Sequence, residues 1–416
     1  MMRPQWGLYL ALLIFPLSPL LGGIAVVGVT AWQWWRDGRS HRQQPLTWSF
    51  ALAALLLLLS SLQADDPSLA LLGLANFLPF MVIFIASRAL IQQPQHRQDL
   101  SQAIVLSSLP VALIGLGQQY LGWHGPIHLG WLISWDLEAG GTPPGRMASV
   151  FGYANPLANF SLIAWTLAIG LTLHAWRSHQ RARVAAGFLC IGLNSIVLFE
   201  TSSRNSWAVA VLIALIYGII LRWHWLLGML GAIATIILGA AFAPPPLQSP
   251  LQTLVPRAIW ARLNDDLYPH RPVETLRTTQ WQFAWDLTQQ RPFRGWGLQH
   301  FPQLYQAQTG EWLGHPHNLP LMLLCETGVL ATLALILPIG WIYYQGLRRL
   351  NHLGKLDPIP LSIFLAFTAT SLFHIVDVTL FDARVNILGW LLLAAIDNGQ
   401  TVRDSKPPHT TNAQTP

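Results

Sequence analysis

Twelve apolar runs, most of them close to bilayer length, divide the 416 residues and limit the fold before any motif is considered. They fall at about 5–18, 20–35, 46–63, 68–90, 100–118, 148–174, 184–202, 205–221, 224–243, 319–344, 359–377 and 384–397. A hydrocarbon core takes roughly 20 apolar residues per helix. Lipid offers the backbone no hydrogen-bond partner, so runs of this kind predict helices that pair their own N–H and C=O groups. Pro16 and Pro19 interrupt the first pair, which could be one bent helix, so 11 or 12 spans are expected. The last run is short and would be tilted or partly interfacial. The predicted architecture is an all-α polytopic membrane protein. A single transmembrane domain covers residues 1–397 and includes one long extracytoplasmic loop at 244–318. The polar segment 398–416, with Pro407-Pro408, reads as a disordered cytoplasmic tail.

Composition agrees with this reading. Charged residues make up 10% of the chain, against about 25% in a soluble domain, and hydrophobic residues make up 52%. That balance excludes an ordinary soluble enzyme, a disordered chain and a nucleic-acid-binding domain. The formal charge of +6 sits in short clusters between apolar runs, as in a polytopic membrane protein. The clusters Arg36/Arg39/Arg42, Arg88/Arg97, Arg177/Arg181/Arg183, Arg222 and Arg348/Arg349/Lys355 should face the cytoplasm. The Asp65-Asp66 turn, the 119–147 segment, the Ser202–Asn205 link, the 244–318 loop and the turn near Asp382 should then face outward. The long loop carries six Arg, but long loops cross regardless of charge. Trp34, Trp35, Trp48, Trp123, Trp131, Trp223, Trp225 and Trp341 flank apolar runs as an interfacial belt would. Arg3 precedes the first run, but no small-residue cleavage site follows, so no cleavable signal is expected. Cys190 and Cys325 lie in apolar runs and read as free thiols.

Three polar groups fall on the outward side. Gly145–Asn159 has Arg146 at a helix mouth and Asn155 and Asn159 in the following turns. Thr201–Trp207 is a polar knot holding Ser203 and Arg204. The long loop contributes Arg277, the stretch Arg291–Gly297, and His315-Pro316-His317-Asn318, with Glu326 in the next helix. Arginine near the membrane plane is costly unless it pairs or binds something, and its planar fork suits diphosphate oxygens. Plainer readings stand beside this one. Arg146 could snorkel, although a helix start is the wrong end of the dipole for a cation. Arg204 could bond backbone carbonyls, and Arg277 could pair with Glu274. Asn155 and Asn159 read first as interhelical hydrogen-bonders. His317 could act as a general base or simply be solvated. His315 and His317 without a nearby carboxylate cluster are a weak metal signal, so no metal is expected. Glu326 is expected to pair with one of the arginines, and Asp377 and Asp382 with Arg384. The chain has no phosphate-loop or dinucleotide fingerprint, which argues against ATP-driven transport by this chain alone.

The segments GRMASVFGYANPLANF, TSSRNSW, LRTTQWQFAWDLTQQRPFRGWGLQHF and HPHNLPLMLLCETGVL, in this order from Gly145 to Leu330, resemble the O-antigen ligase / O-antigen polymerase superfamily of Wzy-C and WaaL-like membrane proteins. The most specific piece is His317-Asn318, nine residues, then Gly328, with Pro292, Gly295, Gly297 and Ser203-Arg204 in support. Ala331 departs from the residue types usual three positions after that glycine. The segments also resemble cyanobacterial members named as bicarbonate transporters, so inorganic carbon transport is the rival expectation.

The resemblance implies a GT-C-like, metal-independent glycosyltransferase of polysaccharide biosynthesis with no cofactor. The donor would be a glycan on a polyprenyl diphosphate carrier of the undecaprenyl type. The acceptor would be a glycan, lipid or protein hydroxyl at the outer face of the inner membrane, with membrane lipid around the chain and no nucleic-acid partner. His317 would be the catalytic base. Arg204, Arg146, Arg277 and Asn318 would bind substrate, and Glu326 and Asn155 would support them.

Overall fold

The computed structural model describes residues 4–130, 132–264, 266, 272–352 and 357–397. Trp131, Lys355 and the expected tail at 398–416 lie outside the described residues. The described residues are mostly helical: α1 (Pro4–Ile14), α2 (Pro19–Arg42), α3 (Pro45–Leu62), α4 (Pro67–Gly73), α5 (Leu78–Leu90), α6 (Pro94–Tyr120), α7 (Ala154–Arg177), α8 (Arg181–Glu200), α9 (Arg204–Ile220), α10 (His224–Phe242), α11 (Pro245–Leu254), α12 (Arg257–Leu263), α13 (Arg277–Gln290), α14 (Phe301–Thr309), α15 (Leu319–His352), α16 (Pro358–Val376) and α17 (Ala383–Ile396). Strands β1 (Ile127–Leu129) and β2 (Ile133–Trp135) form a small antiparallel hairpin before α7.

Helix starts follow local chemistry. Pro4, Pro19, Pro45, Pro67, Pro94 and Pro358 open their helices, where a missing N–H costs nothing and φ is already set. Asp66, Ser203, Asp357 and Asp382 cap α4, α9, α16 and α17 through their side chains. The first two apolar runs are two helices, separated at Phe15–Ser18. The run at 68–90 is broken by a short 3₁₀ turn at Leu74–Asn76.

Eight described spans are long and apolar enough to cross a membrane: 45–62, 67–90, 94–120, 154–177, 181–200, 224–242, 319–350 and 358–376. Helices α1, α9 and α17 are apolar but shorter. Helix α7 is the hub. It packs on α6, α8 and α16, and Leu157, Phe160, Leu162, Ile163 and Leu167 are fully buried. Helix α10 does the opposite, exposing Met229, Ile233, Leu238 and Phe242. An apolar helix turned outward has no advantage in water and suits lipid.

The connecting segments expected to share one side do meet at one end of the bundle. Arg291 pairs with Asp65 at 2.8 Å, the Met147 N–H donates to the Glu200 carbonyl at 2.9 Å, and Arg384 donates to the Val150 carbonyl at 2.8 Å. The 244–318 loop is itself largely helical, built from α11 to α14.

Candidate active site

Helix α15 positions the site through its first turns. Asn318 accepts from the Leu321 N–H at 2.9 Å and so caps the helix. One residue earlier, His317 sits at φ 50°, a left-handed conformation that only a few per cent of non-glycine residues adopt. Its N–H donates to Nδ1 of His315 at 3.2 Å, and the two rings lie edge to face with centroids 4.5 Å apart. Downstream, α15 breaks at Gly328, where φ is 77°.

The break receives the loop between α13 and α14. Trp296 and Gly297 donate to the carbonyls of Cys325 and Glu326 at 3.0 and 2.7 Å, and Val329 donates to the Pro292 carbonyl at 2.8 Å. A Cβ on Gly328 would stand 2.3 Å from the Phe293 oxygen, and one on Gly295 would stand 2.4 Å from the Glu326 oxygen. The spaced glycines therefore permit backbone-to-backbone docking of the loop onto the broken helix. The α3–α4 turn holds the other side of the same loop: Ser60 donates to the Arg294 carbonyl at 2.7 Å, and the Asp66 N–H to Nε2 of His300 at 3.1 Å.

At the end of α16, Asp377 meets His317. Nδ1 of His317 lies 3.0 Å from Oδ1 of Asp377. The carboxylate also accepts from the Val378 N–H at 2.8 Å and from Asn155 Nδ2 at 2.5 Å, and Arg277 Nη2 stands 3.8 Å away. Asn155 in turn accepts from Arg146 at 2.5 Å. A single polar chain thus runs Arg146–Asn155–Asp377–His317. Burial alone would raise the Asp377 pKa. The His317 hydrogen bond and the charges of His317, His315 and Arg277 outweigh it and hold the carboxyl at about 2. A permanent carboxylate accepting from Nδ1–H fixes the tautomer and leaves Nε2 with its lone pair.

Arg146, Arg204, Arg277 and His317 line one cavity of about 620 Å³, together with Arg262, Tyr153 and Asn155. Four guanidiniums surround it, and its lining includes no carboxylate among the described residues. Arg146 Nε donates to the Thr201 carbonyl at 2.8 Å. Arg204 bonds the Arg262 carbonyl at 3.0 Å, while Arg262 Nε bonds the Ser202 carbonyl at 2.8 Å. Backbone bonding, the plain reading of Arg204, is therefore present, and the same side chain also faces the cavity. Such a wall favours an anion with several oxygens.

Several expectations change. Glu326 pairs with no arginine among its described contacts. It is 2% exposed behind the docked loop and accepts from the Phe301 N–H at 3.2 Å, at the start of α14. Asn318 caps a helix rather than lining the cavity. The described ion pair of Arg277 is with Asp377, not Glu274. Arg384 pairs with Asp382 at 2.5 Å, as expected, whereas Asp377 turns to His317. Asn159 donates to Thr370 and Thr379, the interhelical role foreseen for it.

Two residues were missed. Arg262 lies in the long loop without a motif. Asp377 lies 60 positions from His317; its only sequence signal was a carboxylate at the end of an apolar run. It also supplies a carboxylate beside the histidine pair. Ligand atoms of His315, His317 and Asp377 lie within 4.8 Å of one another and could hold a divalent cation, although the Arg277 guanidinium beside Asp377 opposes that charge.

Residues 188–336 match the family model Wzy_C, O-antigen ligase. The resemblance to the O-antigen ligase superfamily holds. The matched segment runs from α8 into the second half of α15 and contains Arg204, Arg262, Arg277 and His317. Arg146, Asn155 and Asp377 come from outside it, so the cavity also draws on α7 and the segment leading into it, and His317 on the end of α16. No curated protein matches the chain. The match supports an O-antigen ligase- or polymerase-like function, an enzymatic glycosyl transfer in polysaccharide biosynthesis, in a multi-pass membrane protein. The resemblance to bicarbonate transporters gains no support from it.

Proposed function

We propose that the chain transfers a glycan from a polyprenyl diphosphate carrier to an acceptor hydroxyl at the outer face of the inner membrane. The convergence of His317, with Asp377 behind it, and four arginines on one cavity carries this reading. Nε2 of His317 takes the proton of the acceptor hydroxyl. The acceptor oxygen bonds to the anomeric carbon as the bond from that carbon to the diphosphate oxygen breaks. The electron pair leaves with the carrier diphosphate, whose charge Arg146, Arg204, Arg262 and Arg277 stabilise. Asp377 holds the imidazole in one tautomer and balances the imidazolium that forms.

Room for a prenyl tail supports the same reading. An apolar groove of about 260 Å³ begins at Leu319 and Pro320, just after the His-Asn pair, and continues along Leu323, Ile336, Phe367 and Trp390. Transport is less well served, because it calls for ionisable groups along a pathway through the bilayer midplane. Here the cavity's charged groups come from helix starts, helix ends and loops at one end of the bundle.

The test is in vitro transfer from a purified lipid-linked glycan to a panel of glycan, lipid and protein acceptors. Wild type should form a product with at least one acceptor, and His317→Ala with none. Product formation by His317→Ala at the wild-type rate would remove the assignment of the base.

A further inference from the structure

We propose a second anion site, for the phosphate headgroup of an anionic membrane lipid, at the end of the bundle opposite the His317 cavity. A pocket of about 250 Å³ lies there between the start of α6, the last turns of α15, the first turns of α16 and the end of α17. Leu319 and Gly346 lie toward the two ends of α15, whose residues 319–350 are long and apolar enough to cross a membrane, so this pocket and the catalytic cavity sit at opposite membrane boundaries.

Two guanidiniums line it, those of Arg97 and Arg349, against an apolar wall that includes Leu350, Ile363 and Phe364. Arg349 spends one donor on the Ile396 carbonyl, at 3.1 Å, which anchors its fork at the end of α17. A guanidinium has five N–H donors, so this bond leaves others for a ligand. Asp357 also lines the pocket, but one of its oxygens caps α16 by accepting from the Ile359 N–H at 3.1 Å. Among the described lining residues, two arginines stand against one carboxylate. Nearby, Arg88 and Asp397 form an ion pair at 2.5 Å, each side chain 10% exposed, and add no net charge.

This combination has a particular chemistry. Two arginine forks match the oxygens of a phosphate. The apolar wall beside them has no use for a soluble ion but suits the first methylenes of an acyl chain. A basic pocket between helices at a membrane boundary is also where anionic lipid phosphates are found. The site is independent of the glycan-transfer reading, since none of its residues touches that cavity.

Native mass spectrometry of the full chain, released from nanodiscs of mixed phosphatidylglycerol and phosphatidylcholine, tests it. Wild type should retain phosphatidylglycerol with a preference on the order of tenfold or more. Arg97→Gln with Arg349→Gln should lose that preference. Millimolar inorganic phosphate should not displace the lipid. Equal retention of the two lipids by wild type, an unchanged preference in the double variant, or displacement by phosphate alone would each overturn the proposal. If the double variant does not fold, thermal unfolding of wild type decides: phosphatidylglycerol should raise Tm where phosphatidylcholine does not, and equal shifts would overturn the site.

Discussion

Nδ1 of His317 stands 3.0 Å from Oδ1 of Asp377, although 60 residues separate the two in the chain. The contact joins the loop before α15 to the end of α16, and a carboxylate accepting from Nδ1–H leaves the lone pair on Nε2. Asp377→Asn should therefore do more than remove a charge. An amide can donate to Nδ1 and stabilise the wrong tautomer, an exchange that costs about 10⁴ in kcat in a serine protease triad. We expect kcat for glycan transfer to fall by roughly 10²–10⁴-fold while binding of the lipid-linked donor is largely kept. A variant with unchanged kcat would show that Asp377 is only a structural cap.

The arginines can be separated by fork chemistry. Arg204→Lys keeps the charge but loses the planar pair of donors, both toward a diphosphate and toward the Arg262 carbonyl. We expect a clear loss of transfer with normal membrane insertion. Arg262→Ala should weaken donor binding as well, because Arg262 lines the same cavity. Full activity in Arg204→Lys would reduce that arginine to a backbone tether.

How much of this was readable beforehand depends on the range of the interaction. Helices follow from apolar runs and proline starts, both local, and nearly every run became a helix. The convergence of Arg146, Arg204, Arg277 and His317 was also legible, because Arg204, Arg277 and His317 sit at helix starts and Arg146 in the segment leading into α7, all on the side that the arginine clusters leave free. Glu326 was misjudged because a carboxylate in an apolar helix suggests a cationic partner. The docked loop instead brought it a backbone N–H, that of Phe301. Asp377 was assigned to Arg384 for its proximity in sequence. Only the packing of α16 on α7 brings it to Asn155 and, across the site, to His317.

Docking of the loop on the broken α15 gives a stability prediction. Gly328 and Gly295 both have positive φ and both face a backbone oxygen at under 3 Å from an added Cβ. Gly328→Ala should lower Tm and expose the α13–α14 loop to protease, because left-handed backbone alone costs about 1–2 kcal/mol before the clash is counted. Glu326→Gln keeps an acceptor for the Phe301 N–H and should be tolerated. Glu326→Ala leaves that N–H buried and unpaired, at about 1–3 kcal/mol. Equal Tm values for the Gln and Ala variants would contradict the capping role.

His315 gives the pH dependence. Burial lowers its pKa from 6.5 to about 4, helped by the charge of His317 and opposed by Asp377. The unfolded chain therefore takes up this proton near pH 6.5, and the folded chain only near 4. Between those values the unfolded state binds more protons, so stability rises with pH, and conversely it falls as the solution is acidified through the window. Above the window the neutral ring accepts the His317 N–H through Nδ1, which keeps the left-handed turn at His317 closed. Replacing His315 with Gln removes the titration. Melting temperatures measured from pH 7 down to 4 should fall more steeply for wild type than for His315→Gln. Parallel slopes for the two proteins would mean that His315 titrates as a solvated side chain and takes no part in holding His317.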